Sequence, residues 1–337
     1  LIGGHPGVSN GTQVLVGSRV GPFRTEFLVE HRAVQAGRQF HDVMLSGPFA
    51  RWEHRHIFES SGPGSSRLVD RLTYRLPGGA SGRLLGAGFV RRKLARMFAY
   101  RQSVTKADLE TVPAGFKPLT IVITGGSGLV GRTLIPFLQT QGHTVRQLVR
   151  RVPVTDGEIQ WDPAQGVLAA DVLDGADAVV HLAGAGIGDH RWTDAYKQEL
   201  IDSRVKTTTL LATTIAASAN PPKVLLSGSA IGIYGASDGR DLDESSPAGT
   251  GFLADLCVQW EAAAAPAAVA GVRVAHLRTG IVLTPKGGAL KKMLPLFTLF
   301  AGGKFGKGTQ WQSWISLADE VGAIRHLLTH DVRGPVN

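Results

Sequence analysis

The chain has 337 residues, too many for one ordinary domain and suited to two. Its 43% hydrophobic and 19% charged residues describe a soluble globular protein. No apolar run reaches the roughly 18 residues that span a membrane, and the single cysteine, Cys257, excludes an internal disulfide and suits a reducing, cytoplasmic setting. The net charge of +9 is lopsided, since residues 1–115 carry 16 basic against 8 acidic side chains and the remainder 20 against 19. The arginines are scattered through strand-like segments without a dense run, so the excess reads as a solvated basic face, and no nucleic-acid partner is expected. No signal peptide is visible. The chain opens on Leu1 and stops in mid-pattern at Gly334-Pro335-Val336-Asn337, so both ends are expected to be truncated.

From Thr12 to about Arg75 the pattern favours strands. Thr25–His31, Phe40–Leu45 and Arg67–Arg75 are short segments punctuated by Gly and Pro, as in an antiparallel sheet. Trp52, His54 and His56 lie two apart, on one side of a strand. His-x-His can ligate a metal, but no third ligand stands at a persuasive spacing, so a polar cross-strand ladder is the expected role. Phe89–Glu110 then changes period: Val90, Leu94, Met97 and Phe98 line one helical face, with Arg91, Arg92 and Lys93 outside it. A sheet closed by a long helix, with GPFARWEHRHIFE and LVDRLTYRLPGG between, resembles the helix-grip fold of the START-like (polyketide cyclase and lipid-transfer) superfamily over residues 12–108. The resemblance implies an apolar cavity between sheet and helix and a hydrophobic ligand within it. Thr111-Val112-Pro113-Ala114-Gly115 is the expected linker, which divides the chain into 1–115 and 116–337.

The second unit opens on Leu119–Gly131, LTIVITGGSGLVG. Ile121, Val122 and Ile123 read as a buried parallel strand, and Val130, Leu134 and Leu138 recur every four residues as on a helix. Gly125 permits the turn, Gly128 lets backbone approach a pyrophosphate and Gly131 lets helix pack on strand. Gly125, Ser127, Gly128, Leu129, Val130 and Gly131 are therefore the expected pyrophosphate cradle. Pro136 inside the helix is expected to kink it or to cost about 3 kcal/mol.

His143–Val149 makes the next strand, and its end reads Val149-Arg150-Arg151 with no acid before Asp156. A carboxylate there would accept the ribose hydroxyls of NAD, whereas arginines suit a 2′-phosphate, so NADP is the expected cofactor, held by Arg150 and Arg151. Asp177–Gly184 is a buried strand ending in small residues. Ala183 and Gly184 are expected beside the adenosine side of the cofactor, and His181 reads as a hydrogen-bonded core histidine. Lys223–Ala230 and Val272–Leu277 follow, the former with hydroxyls at the carboxyl end where open α/β sheets place ligands.

Thr124–Gly131, HLAG at 181–184 and SGSAIGIYG at 227–235 resemble the extended short-chain dehydrogenase/reductase superfamily. WEAAA at 260–264, LRTGIVLTPKGGALKKMLPLF at 277–297 and GKGTQWQSWISLAD at 306–319 resemble its nucleoside-diphosphate-sugar epimerase branch that carries a cell-division-inhibitor label, over residues 119–337. The resemblance implies a Rossmann doubly wound α/β domain preceded by a smaller α+β helix-grip domain. It also implies hydride transfer on a sugar nucleotide or related small molecule, with Gly280, Ile281 and Val282 near the nicotinamide. Superfamily enzymes use Ser or Thr with a Tyr-x-x-x-Lys pair, in which lysine lowers the tyrosine pKa for proton exchange. Ser229 matches the serine, but aligning Glu261 with the acidic position puts Leu253 at the tyrosine and Cys257 at the lysine, and Arg204 stands at the usual asparagine. Tyr234 is the nearest remaining hydroxyl and the other catalytic candidate. Arg278 and Lys286 are read either as holding a substrate phosphate or as surface cations, and Trp311 and Trp314 either as a pocket wall or as core aromatics. Cys257 is not expected to be a nucleophile, since no histidine is near it in sequence. An NADP-dependent oxidoreductase or epimerase is the main reading. A catalytically weak NADP-binding regulatory module coupled to the first domain is its rival.

Overall fold

The computed structural model describes residues 3–4, 8–20, 23–110, 115–236, 239–304 and 306–337. The chain separates into two compact units, Leu1–Ala107 and Asp108–Asn337. Four of the five residues of the expected linker, 111–114, lie outside the described residues.

In the first unit, β1 (Gly3–Gly4), β2 (Gln13–Val20), β3 (Phe23–Gln35), β4 (Gln39–Ser46), β5 (Arg51–Gly62) and β6 (Ser65–Arg75) form one sheet in sequential order. Every pairing is antiparallel. The helix α1 (Gly79–Glu110) follows, and it begins ten residues before the expected Phe89. Glycines at 79, 82, 86 and 88 weaken the helical signal there, but one of them has steric work. A Cβ at Gly82 would overlap the Pro77 carbonyl oxygen, so the first turn presses close to the chain leaving β6. No residue of α1 is fully buried; Val90, Leu94 and Phe98 are half-buried four residues apart, and Met97 is exposed.

The second unit contains β7 (Thr120–Thr124), α2 (Gly131–Thr140), β8 (Thr144–Val149), β9 (Glu158–Gln160), β10 (Ala178–His181), α3 (Asp194–Asp202), α4 (Val205–Ala217), β11 (Val224–Ala230), α5 (Phe252–Ala262), α6 (Ala265–Val269), β12 (Arg273–Thr279), β13 (Ile281–Leu283), α7 (Gly288–Thr298), β14 (Trp314–Ser316), α8 (Leu317–Thr329) and β15 (Gly334–Val336). Seven strands make a parallel sheet in the order β15-β12-β11-β10-β7-β8-β9, and β13 pairs with β14 apart from it. Pro335, which lacks an N–H, sits in the edge strand, where a missing donor is tolerated.

Strand alternation divides the core. Ile121 and Ile123 of β7 pack with Leu134 and Leu138 of α2 and Val321 and Ile324 of α8. Val122, Val179 and Leu225 join Leu211 and Ile215 of α4 and Ala267 of α6 on the other face. Each such fully buried Val, Leu or Ile side chain contributes about 1.5–3 kcal/mol. Pro136 lies on an exposed side of α2, where water can take the carbonyl that its missing N–H leaves, and the helix runs through it to Thr140.

The order of the strands sets the site. The chain runs outward from β7 to β8 and β9, then crosses back to β10 and continues outward the other way, so direction reverses between β7 and β10. The crevice outside the carboxyl ends of strands at such a reversal is where open α/β sheets bind ligands.

Candidate cofactor and substrate cleft

At that reversal the wall is backbone. Gly125 has φ +72°, and a Cβ there would stand 2.6 Å from the Leu182 carbonyl, so the β7 and β10 loops meet only because the residue is glycine. Gly128 N–H donates to the Gly125 carbonyl at 2.9 Å and closes the turn, leaving Ser127 and Gly128 exposed. A Cβ at Gly131 would lie 2.4 Å from the Gly125 oxygen and 2.7 Å from Gly126 Cα. α2 has no side-chain N-cap, and among the described residues Leu129, Val130 and Gly131 have no backbone acceptor for their N–H groups. This donor-rich, glycine-walled turn at a helix N-terminus fits a pyrophosphate. Leu129 also props the next layer, because an added Cβ at Gly287 would meet its Cδ1 at 2.8 Å.

The two arginines after β8 differ. Arg151 is bidentate to Glu158, with Nη1 to Oε2 at 2.8 Å, and the hydrogen bonds that Arg151 and the Val154 N–H each donate to Glu158 hold its carboxyl down at about 2. Arg150 is exposed and makes no ion pair or hydrogen bond among the described residues. The acid that answers Arg151 is seven residues away and comes from β9, a short strand not expected from the sequence.

Ala183 is held by a directional chain. Its N–H donates to Thr124 Oγ1 at 3.2 Å, and Thr124 Oγ1 lies 2.6 Å from His181 Nδ1. His181 Nε2 lies 3.3 Å from Thr207 Oγ1, which donates to the Ser203 carbonyl at 2.7 Å. Thr207 has spent its proton, so His181 donates from Nε2 and accepts at Nδ1. Burial pushes its pKa down to about 3, and this neutral core histidine is no general base in the cleft. Gly184 backs onto Arg204, whose Cζ would be 3.2 Å from an added Cβ. Arg204 is buried, donates to the Ala185 and Leu200 carbonyls at 2.9 and 3.2 Å, and lies 5.1 Å from the Trp260 ring centroid. It ties the 183–185 loop to the end of α3.

Beyond β10 the wall becomes side chains. Ser229 and Arg278 are register partners on β11 and β12, and both reach Glu261 of α5. Ser229 Oγ donates to Glu261 Oε1 at 2.6 Å, while Arg278 donates from Nε at 2.8 Å and Nη2 at 3.0 Å. Burial raises the Glu261 pKa, but the hydrogen bonds from Arg278 and Ser229 outweigh it and leave the carboxyl below its ordinary range. Arg278 Nη1 also donates to Tyr234 Oη at 2.8 Å, and Tyr234 in turn donates toward Asn337 Oδ1 at 2.7 Å or the Asp243 carbonyl at 2.9 Å. The Tyr234 hydroxyl is thus engaged on both sides. Leu253 and Cys257 lie on α5 against Gly232, and burial pushes the Cys257 thiol up to about 11, which excludes a resting thiolate.

A cavity of about 1060 Å³ opens beside this cluster, and its lining includes Tyr234, Arg278, Thr279, Gly280, Ile281, Trp311, Trp314 and Glu320. Trp311 and Trp314 are 82% and 64% exposed, so they are cavity wall and not core. Lys286 is exposed and does not line the cavity; Val282 packs against the core cluster under the sheet. Glu320 of α8 is a wall residue that sequence reasoning missed. Burial raises its pKa, and Thr279 Oγ1 donates to its Oε1 at 2.9 Å. Nothing in the SLADE stretch marks it, because its place in the wall depends on β12 and α8 meeting across 41 residues. Glu261 entered the sequence reading only as an alignment anchor, for the same reason.

The model of the NAD dependent epimerase/dehydratase family matches residues 121–337. An epimerase family protein of Mycobacterium bovis is 44% identical over 218 residues, covering 64% of this chain and 72% of its own length. The crystal structure of a nucleoside-diphosphate sugar epimerase from Corynebacterium glutamicum is 38% identical with a TM-score of 0.76, over 99% of this chain and 70% of that one. That of human epimerase family protein SDR39U1 with NADPH is 33% identical with a TM-score of 0.58, over 65% and 73%.

Proposed function

Because the chain belongs to the NAD dependent epimerase/dehydratase family, we propose that it is an NADP-dependent epimerase or reductase acting on a sugar nucleotide or a related hydroxyl-bearing substrate. The observation that carries this reading is the cavity whose wall contains Arg278, Thr279 and Gly280, beside Ser229 and at the same carboxyl edge as the glycine crossover. The nicotinamide cofactor of this family supplies and takes back a hydride. The chain's own residues do the rest. Leu129, Val130 and Gly131 present N–H groups to the pyrophosphate, with Gly125, Ser127 and Gly128 shaping the turn. Arg150 takes the 2′-phosphate, since Arg151 is committed to Glu158. Ala183 and Gly184 border the adenosine side, and Gly280 and Ile281 the nicotinamide side. Ser229, fixed by Glu261, orients the reacting oxygen, and Arg278 places positive charge at the cavity wall for an anionic substrate group. Glu320 is the wall carboxyl whose burial favours the protonated form, which suits it to hold the proton that the missing tyrosine would carry.

NADPH oxidation measured across sugar nucleotides and small ketones tests this reading. Turnover that falls at least a hundredfold in Ser229→Ala supports it. Tight NADPH binding with no turnover on any of them favours the second reading, a regulatory NADP-binding module, for which Leu253 and Cys257 in place of the Tyr and Lys are the specific support. For the first unit, we read the antiparallel sheet followed by a 32-residue helix as a START-like helix-grip domain. Exposed Leu84, Leu85 and Phe89 on α1 support a hydrophobic ligand.

A further inference from the structure

The face of the first sheet that meets Phe98 and Arg101 of α1 carries a polar cluster instead of aliphatic side chains. His54 and His56 alternate onto one side of β5, and cross-strand register puts Asp42 of β4 opposite His54 and Asp70 of β6 opposite His56. His31 of β3 is opposite Asp42. All three histidines are buried, and the Asp70 side chain is 3% exposed. The third ligand that His-x-His spacing did not supply comes from a neighbouring strand, and no sequence interval reveals it.

We propose that Asp42, His54 and His56 form a binding site for one divalent transition-metal ion, with zinc as the matching probe. Their ligand atoms all lie within 4.8 Å of one another, and His56 Nε2 is 3.2 Å from Asp42 Oδ2. The latter is close to the edge of a tetrahedron with bonds of about 2.0–2.1 Å. Two imidazoles and a carboxylate are a donor set for Zn²⁺ and its neighbours and are poor for Ca²⁺ or Mg²⁺. A supporting shell is present. His31 Nδ1 lies 2.6 Å from Asp42 Oδ1 and orients that carboxylate, and Phe40 stacks on His56 at 4.1 Å. Asp70 supplies a second carboxylate, 2.8 Å from His54 Nε2 and 3.2 Å from His56 Nδ1, and its buried Oδ2 has no hydrogen-bond partner. That oxygen is a free acceptor lone-pair site beside the cluster.

One group opposes the ion. Arg101 Nη2 lies 3.4 Å from His56 Nδ1, and Nη1 is 4.0 Å from Asp70 Oδ1. Its side chain is 44% exposed, so the guanidinium can swing into water when a dication binds nearby. Arg101 contacts His56 at the ring nitrogen away from Asp42, together with the neighbouring Asp70, so it opposes the metal by like charge and not by occupying a ligand atom.

The test uses the full chain without a histidine tag, stripped with chelator, in a His330→Asn background. That background removes the exposed, stacked His326–His330 pair, which can take up zinc adventitiously. Titration with Co²⁺ is expected to give a d–d absorption band saturating at one ion per chain, displaced by Zn²⁺. Arg101→Gln keeps every ligand and is expected to tighten binding at least tenfold. His54→Gln/His56→Gln is expected to abolish the band. If that variant misfolds, the titration of the unaltered site and the Arg101→Gln shift still decide. No saturable band in the folded chain, or an affinity that Arg101→Gln leaves unchanged or weakens, overturns the proposal.

Discussion

At the β7–α2 crossover the cleft is walled by backbone. Gly125, Gly128 and Gly131 matter for the side chains they lack, and the donors are main-chain N–H groups. At the β11–β12 end it is walled by side chains, with Ser229, Glu261, Arg278 and Tyr234 joined by hydrogen bonds that span as many as 44 residues. The first arrangement is local and fails by collision. The second is distributed and fails by leaving a charge without its partner.

Glu261→Ala should show the largest effect. It strips Arg278, whose side chain is 8% exposed, of its carboxylate and leaves a buried cation, at a cost of roughly 3–5 kcal/mol in denaturant unfolding. Ser229 loses its acceptor in the same stroke, so turnover should vanish wherever the protein still folds. Glu261→Gln keeps the shape and part of the hydrogen bonding, and a loss as large as that of the alanine variant would mean that packing, not charge, holds this end together.

Gly131→Ala should come next. The added methyl meets the Gly125 carbonyl and the Gly126 backbone, neither of which can swing aside, so we expect about 1–3 kcal/mol of destabilisation and at least a hundredfold weaker NADPH binding by fluorescence titration. Unchanged NADPH affinity would remove the crossover from the cofactor site.

This contrast also explains what was legible in the sequence. The strand–glycine–helix pattern of 119–131 specifies its own geometry within thirteen residues, because alternation, turn and helix period are all local. The antiparallel sheet of the first unit was readable from its punctuation, but β3 and β5 run to 13 and 12 residues, past the short segments that the punctuation marks. The start of α1 was not, since glycine weakens helical propensity while only the close approach of Gly82 to the Pro77 carbonyl shows why a glycine is there. Glu320, the Arg151–Glu158 pair and the joining of Asp42 to His54 and His56 were illegible for a common reason. Each depends on which strands and helices become neighbours, and spacing along the chain does not encode that.

A smaller effect separates the two arginines after β8. Arg150→Glu should lower the preference for NADPH over NADH by tenfold or more, about 1.4 kcal/mol, with little change in NADH affinity. Arg151→Ala should instead loosen the segment between β8 and β9 that Glu158 holds and leave the ratio near its starting value. Equal effects of the two substitutions would mean that the ion pair, not the free guanidinium, shapes the adenosine end.

The smallest expected effect is a difference of sign within the side-chain end. Glu261 has a folded pKa below the ordinary 4.5, so its contribution to stability is present above that pH and is lost as pH falls through the folded value. Glu320 has a folded pKa above 4.5, so the folded state binds its proton more tightly, and stability is lost as pH rises from 4.5 through the folded value. Glu320→Gln keeps an oxygen to accept from Thr279 and removes the ionisation. It should therefore stabilise the protein on the neutral side by on the order of 1 kcal/mol or less and have no such benefit on the acid side. Unfolding midpoints across that range read the difference directly. A gain of the same size at both ends would assign the effect to packing, and Glu320 would then lose its claim to the proton on the cavity wall.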